Sequence, residues 1–125
     1  MDLQIVHSYL FGNVKFLDLL LLAMAIDIFT GVIKAWKEKK LRSRNAYFGY
    51  VRKIAVFGII IAANIVDVIL QLNGAIALST VIFYLVNEIL SITENAAQIG
   101  IKVPKIITDK LQVIQEEEKD ENRKE

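Results

Sequence analysis

The chain has 125 residues, 54% of them apolar, and a formal net charge of +1. That length leaves little room for a separate catalytic module, and the near-zero charge gives no overall basic balance for binding nucleic acid. The absence of cysteine removes disulfides, thiol nucleophiles and zinc ribbons together. The single histidine, His7, has no neighbouring ligands, so neither a metal site nor a cofactor is expected. One proline and six glycines suit a mostly helical chain.

Residues 1–15 carry Leu3, Val6, Leu10 and Val14 near one helical face, with Gln4, His7 and Ser8 elsewhere. The pattern fits an interfacial helix on the outer leaflet, and equally a partly ordered leader. The first long apolar run is 16–36, the second 54–72 and the third 75–92. Each matches the ~20 residues needed to cross a bilayer at ~1.5 Å rise per residue. A soluble bundle does not suit helices that are apolar nearly all round. Leu19 to Ala25 imitates a signal-peptide core, but Lys15 is a meagre basic region, Asp18 interrupts the stretch, and hydrophobicity continues to Trp36. Cleavage is therefore not expected.

Between the first two runs lie Lys37, Lys39, Lys40, Arg42, Arg44, Arg52 and Lys53, against the lone acid Glu38. Such a basic loop stays in the cytoplasm, which puts the N-terminus outside and the C-terminus inside. Fixing this orientation is the cluster's first expected role, and contact with anionic lipid the second. Asn73-Gly74 is a helix stop and tight reversal, so the last two spans form an antiparallel hairpin. Gly100 ends a helix and Pro104 opens another, with Val103, Ile107, Leu111 and Ile114 on one face. This segment reads as an amphipathic helix, on the inner surface or in a helical contact. A charged tail follows from Glu116.

The expected fold is an all-α integral membrane protein with three transmembrane helices. An N-terminal interfacial segment occupies 1–15, the membrane domain 16–99, and a cytoplasmic amphipathic helix with its tail 100–125.

The polar residues inside the spans carry the most information. A carboxylate at a helix centre costs about 2.5–3.5 kcal/mol on insertion scales. Asp27 therefore offsets over half of the roughly 5 kcal/mol that the apolar residues of the first span supply. Asp27, Thr30, Gly31 and Lys34 share one helical face, and Gly31 with Ala35 allows another helix to approach closely. In the second span Asn64, Asp67 and Gln71 form a polar face, and Gly58 with Ala62 repeats the small-residue pair. In the third, Thr80, Tyr84, Asn87, Glu88, Ser91 and Asn95 fall in one broad stripe. These groups can satisfy one another within one bundle, or meet across copies and line water. Periodicity does not separate the two.

An ordered set of pieces carries a family resemblance. It begins with Asp27-x-x-Thr30-Gly31, Ala35, the basic stretch through Lys40, and Ser43. Gly49, Arg52-Lys53 and Asp67 follow, then Asn87-Glu88-x-x-Ser91-Ile92-x-Glu94-Asn95, Gly100 and Val103-Pro104. Over residues 16–115 the sequence resembles the toxin-secretion and phage-lysis holin family. The resemblance implies a homo-oligomer in the bacterial cytoplasmic membrane, in contact with membrane lipid. Its lesions would release a cell-wall hydrolase or a toxin, and no residue would be catalytic. A small ion-channel or transport subunit, or a membrane adaptor, would also place carboxylates at membrane depth.

Overall fold

The computed structural model describes residues 2–39 and 44–124, without the side chains of 44–47 and 120–124. Five helices follow one another: α1 (Leu3–Phe11), α2 (Leu17–Lys37), α3 (Arg44–Leu70), α4 (Ala75–Ile99) and α5 (Lys105–Lys124). Three stretches are long and apolar enough to cross a membrane: Leu17–Lys37, Phe48–Leu70 and Ala75–Ile99. At ~1.5 Å per residue they are about 31 to 37 Å long, matching a hydrocarbon core of ~30 Å. The fold is all-α and the protein is multi-pass. Its third span, α4, runs seven residues beyond the 75–92 apolar run, because Asn95 and Ala96 remain buried against the bundle after the hydropathy falls.

The middle helix is α4. Both α2 and α3 pack along it, whereas α2 and α3 barely approach one another. Leu19, Leu21, Leu22, Ile26 and Phe29 of α2 are exposed, as are Ile54, Ile59, Ile65, Val68 and Ile69 of α3. On α4, Phe83 alone among the large apolar residues is open. Outward-facing apolar side chains on this scale suit lipid, not water.

Every helix terminus leaves unpaired backbone groups, and in hydrocarbon water does not satisfy them. Here polar side chains from neighbouring helices do so. Asp67, near the end of α3, accepts from the backbone N–H of Ile76 and of Ala77, each at 2.8 Å, and so caps the start of α4. The chain reverses between them with positive φ at Gln71, Asn73 and Gly74, as the Asn73-Gly74 pair predicts. Lys37 Nζ donates to the carbonyls of Gln98 at 3.1 Å and Ile99 at 3.4 Å, closing the other end of α4. A cation there also complements the helix dipole. Gly100 (φ 104°) ends α4 in the left-handed region that glycine favours, and Lys105 begins α5 just after Pro104.

The N-terminal helix α1 docks on α3. Asn64 Nδ2 donates to the carbonyls of Tyr9 at 3.2 Å and Leu10 at 3.0 Å, and Phe11 meets the edge of Phe57 at 6.5 Å. Gly12 has φ 65°, and a Cβ there would come within 2.8 Å of Asn64 Oδ1, so the turn requires glycine twice over. α5 buries Leu111 and packs against α4, leaving Ile106, Ile107, Val113 and Ile114 exposed.

The bundle is layered. At the turn end lie Asn64 and Asp67 with the caps they form. A septum of Leu20, Met24, Ile60 and Val81 comes next, flanked by Phe11, Leu17, Phe57 and Tyr84. Beyond it, toward the basic end, sit Asp27, Lys53 and Glu88.

Replacing Asp67 with Ala removes both acceptors of the α4 cap and should cost about 1–2 kcal/mol. The midpoint of unfolding in mixed micelles should fall accordingly. An unchanged midpoint would show that the two amides find other partners.

Candidate functional site

Lys53 enters from α3, six residues along its membrane-crossing stretch. Its Nζ lies 2.5 Å from Asp27 Oδ2 on α2, and 2.9 and 2.8 Å from Glu88 Oε1 and Oε2 on α4. One ammonium thus joins three helices. Asp27 and Glu88 are buried, with 7% and 9% of their surface exposed. Lys53 is half-buried, because its four-carbon stem runs along the bundle while its head turns inward.

The remaining acceptors of Asp27 are also used. Ser91 Oγ donates to Oδ1 at 2.7 Å, and Asn95 Nδ2 to the same oxygen at 3.0 Å. Asn95 Nδ2 also lies 3.0 Å from Thr30 Oγ1, whose hydroxyl turns back to the carbonyls of Ile26 and Asp27. Glu88, Ser91 and Asn95 follow one another at intervals of three and four on α4, so they face α2 together. Among the described residues no buried side-chain nitrogen or oxygen lacks a partner.

Two carboxylates share one ammonium, so with all three ionised the cluster carries one surplus negative charge. Removing one member of a buried ion pair costs about 3–5 kcal/mol, since the other stays uncompensated. The cluster is therefore strongly committed to its present arrangement. It also faces space: a cleft of about 740 Å³ opens between α2 and α3 beside the cluster. Among its walls are Ile28, Val32 and Val56, and among its polar residues Lys34, Arg52 and Asn87. A second cleft, of about 700 Å³, lies at the turn end beside Asn64 and Asp67. The septum separates them.

The structure brings together Asp27, Thr30, Ser91 and Glu88, all singled out from the sequence. Gly31 sits against Asn95, where an added Cβ would lie 3.6 Å from Asn95 Nδ2. Lys34 and Asn87 line the same cleft. Asn64 and Asp67 stand apart from this cluster, as caps at the turn end. Gln71 is exposed in the reversal. The basic cluster divides: Lys39 and Arg52 are exposed, Lys37 caps α4, and Lys53 turns into the bundle. Lys40 and Arg42 lie outside the described residues, and of Arg44 only the backbone is described. Sequence reasoning missed Lys53 as an internal partner, and it named Asn95 in the polar stripe of the third span without its bond to Asp27. The spacing of Asn95 behind Glu88 and Ser91 was the available signal. Gly58 has nothing within 4 Å of an added Cβ, so its small-residue face is not used within the chain.

Three spans around a buried ionic cluster define a multi-pass membrane protein whose polar groups are satisfied internally. Residues 5–116 match the model of the bacteriophage holin family, and the chain belongs to that family. It is 60% identical over 114 residues to a "Probable holin" of Bacillus phage phi105, covering 91% of this chain and 84% of that protein. It is also 60% identical over 115 residues to the uncharacterized protein YqxH of Bacillus subtilis strain 168, covering 92% and 82%. A third relative, the uncharacterized protein BH0965 of Halalkalibacterium halodurans, is 32% identical over 117 residues, covering 89% and 87%. No solved structure matches the chain.

Asn95 bonds Asp27 and Thr30 at once, so Asn95→Ala should cost about 1–3 kcal/mol through under-satisfied acceptors. Gly31→Ala should be tolerated at ordinary contact distance, whereas Gly31→Leu should displace Asn95 and destabilise similarly. Micelle unfolding midpoints check both; equal midpoints for Gly31→Ala and Gly31→Leu would sink the close-approach reading.

Proposed function

We propose that the protein accumulates in the bacterial cytoplasmic membrane, assembles with copies of itself and forms lesions that release a cell-wall hydrolase. The observation that carries this is the family membership together with the ionic cluster at membrane depth. Charged groups in the spans mark the helices for more than anchoring. The cluster is satisfied in the single chain and costly to leave unpaired, so it favours a stored form over spontaneous opening. The exposed Gly58–Ala62 face of α3 offers a close approach for a helix of another copy. Exchange of contacts between copies would then move polar residues to the edge of a water-filled lesion. No residue has a catalytic role in this mechanism. Release of a toxin by the same route differs only in the cargo.

In this reading the basic end, with Lys37, Lys39 and Arg52, faces the cytoplasm. The N-terminus and the turn at Asn73-Gly74 lie outside, and α5 lies inside. Lysines and arginines at this end, together with exposed Trp36, contact lipid headgroups at the interface.

Induced in bacteria with a cytoplasmic cell-wall hydrolase, the protein should collapse the membrane potential abruptly after a delay and release the hydrolase. Graded ion flux without release would favour a channel subunit, and neither effect would favour an adaptor. Asp27→Asn and Glu88→Gln should each shift the lysis time, because each changes the charge balance of the cluster. Lysis on the wild-type schedule by both would remove the cluster from the mechanism.

A further inference from the structure

We infer that Lys53 is a positioning residue that latches the chain shut, holding α3 against α2 and α4 and keeping water off Asp27 and Glu88. Three observations converge on it. The first is topological. Both α2 and α3 lean on α4 while their backbones barely approach each other, and beyond the septum that Leu20, Met24 and Ile60 share Lys53 to Asp27 is, among the described residues, the one side-chain hydrogen bond joining α2 to α3. The second is electrostatic. A single ammonium lies within 2.9 Å of carboxylates from two other helices, so its withdrawal leaves two like charges facing one another. The third is spatial. The cleft between α2 and α3 already reaches the cluster and is lined there by Lys53, Asp27 and Glu88 themselves.

Two carboxylates at membrane depth without their counter-charge demand hydration, since a proton shared between them still leaves one charge bare. The least obstructed route for water is this cleft, since on the other side the apolar septum of Leu20, Met24, Ile60 and Val81 is closed. Loss of the latch therefore floods the basic half of the chain and spreads α2 from α3. The turn end keeps its own ties through Asn64 and Asp67. A charged head on a long, flexible stem suits this role: it can leave the cluster for the interface without any change in α3. The consequence for timing rests on the lesion-forming reading above; the latch itself does not.

The chain has no cysteine, so single cysteines report without background. Ile28→Cys sits in the cleft wall beside Asp27, outside the hydrogen-bonded cluster. Spin labels at Trp36→Cys and Val51→Cys, both exposed, measure the α2–α3 separation. In membrane vesicles without hydrolase, Lys53→Gln in the Ile28→Cys background should speed labelling of the introduced thiol by a water-soluble reagent about tenfold or more. In the separate Trp36→Cys/Val51→Cys pair, with Ile28 retained, Lys53→Gln should also shift the spin-label separation to longer, broader distances. Lys53→Arg should keep both wild-type values. Lys53→Gln combined with Asp27→Asn and Glu88→Gln should return labelling toward the wild-type rate, because no surplus charge remains to hydrate. Slow labelling in Lys53→Gln overturns the latch. Fast labelling in the neutral triple variant overturns its electrostatic basis. In cells, Lys53→Gln should lyse earlier than wild type. Fast labelling with an unchanged lysis time overturns the latch as a timing device and leaves the lesion-forming reading standing. A wild-type protein that never lyses cells overturns that reading and leaves the vesicle result untouched.

Discussion

A carboxylate in hydrocarbon has three escapes: a proton, water, or a counter-charge. Asp27 and Glu88 take the third, and both take it from the same residue, so the fold depends on where Lys53 can reach. Its backbone lies near the basic end of α3 and its head lies deeper, between α2 and α4. This fixes which face of each helix turns inward. The rest of the polar network, Ser91, Asn95 and Thr30, then closes round Asp27 and leaves none of its oxygens bare. In a bilayer, where apolar faces gain nothing by hiding from lipid, such pairing and close packing supply much of the specificity that a hydrophobic core supplies in water.

Why α4 occupies the middle follows from the same constraint. Its stripe of Glu88, Ser91 and Asn95 is buried or half-buried along its length, and it needs partners on two sides. Asp27 supplies one from α2, and Lys53 the other from α3. Both ends of α4 are also tied by charged side chains from those helices, Asp67 from α3 and Lys37 from α2. Each flanking helix can consequently expose a broad apolar face, while α4 exposes little. In the assembly proposed above, contact between copies would then fall first to α2 and α3.

Much of this architecture was legible in the sequence. Hydropathy alone gave three spans, and Asn73-Gly74 gave the reversal. Gly100 and Pro104 gave the break before α5. Asp27 and Glu88 stood out because their cost at a helix centre is large against the apolar residues around them. The functions of Asn64, Asp67 and Lys37 were not legible, because each satisfies the terminus of a different helix, and helical periodicity ranks residues only within their own. Lys53 escaped for another reason. It adjoins Arg52 beside a basic loop, so charge counting assigns it to the interface, whereas a lysine stem is long enough to serve either the interface or the bundle. Only the position of the two carboxylates decides between them. Gly12 carries no signal in the sequence beyond a turn, since its close neighbour Asn64 is 52 positions away.

The septum bears on how any water-filled opening can arise. Clefts with mixed polar and apolar linings enter the chain from both ends, yet Leu20, Met24, Ile60 and Val81 are buried between them with almost no exposed surface. Joining the clefts within one chain would require dismantling its best-packed layer, and three helices still could not enclose a path for a folded protein. Under the proposed reading, an opening of that size would need walls drawn from many copies. The polar residues best placed to face it lie along the α2–α3 cleft, because beyond the septum those two helices have no close backbone seam to break. A chain with its apolar packing at one level and its ionic tie at another can loosen the second without losing the first. Under the lesion-forming reading proposed above, it could then change partners while staying folded.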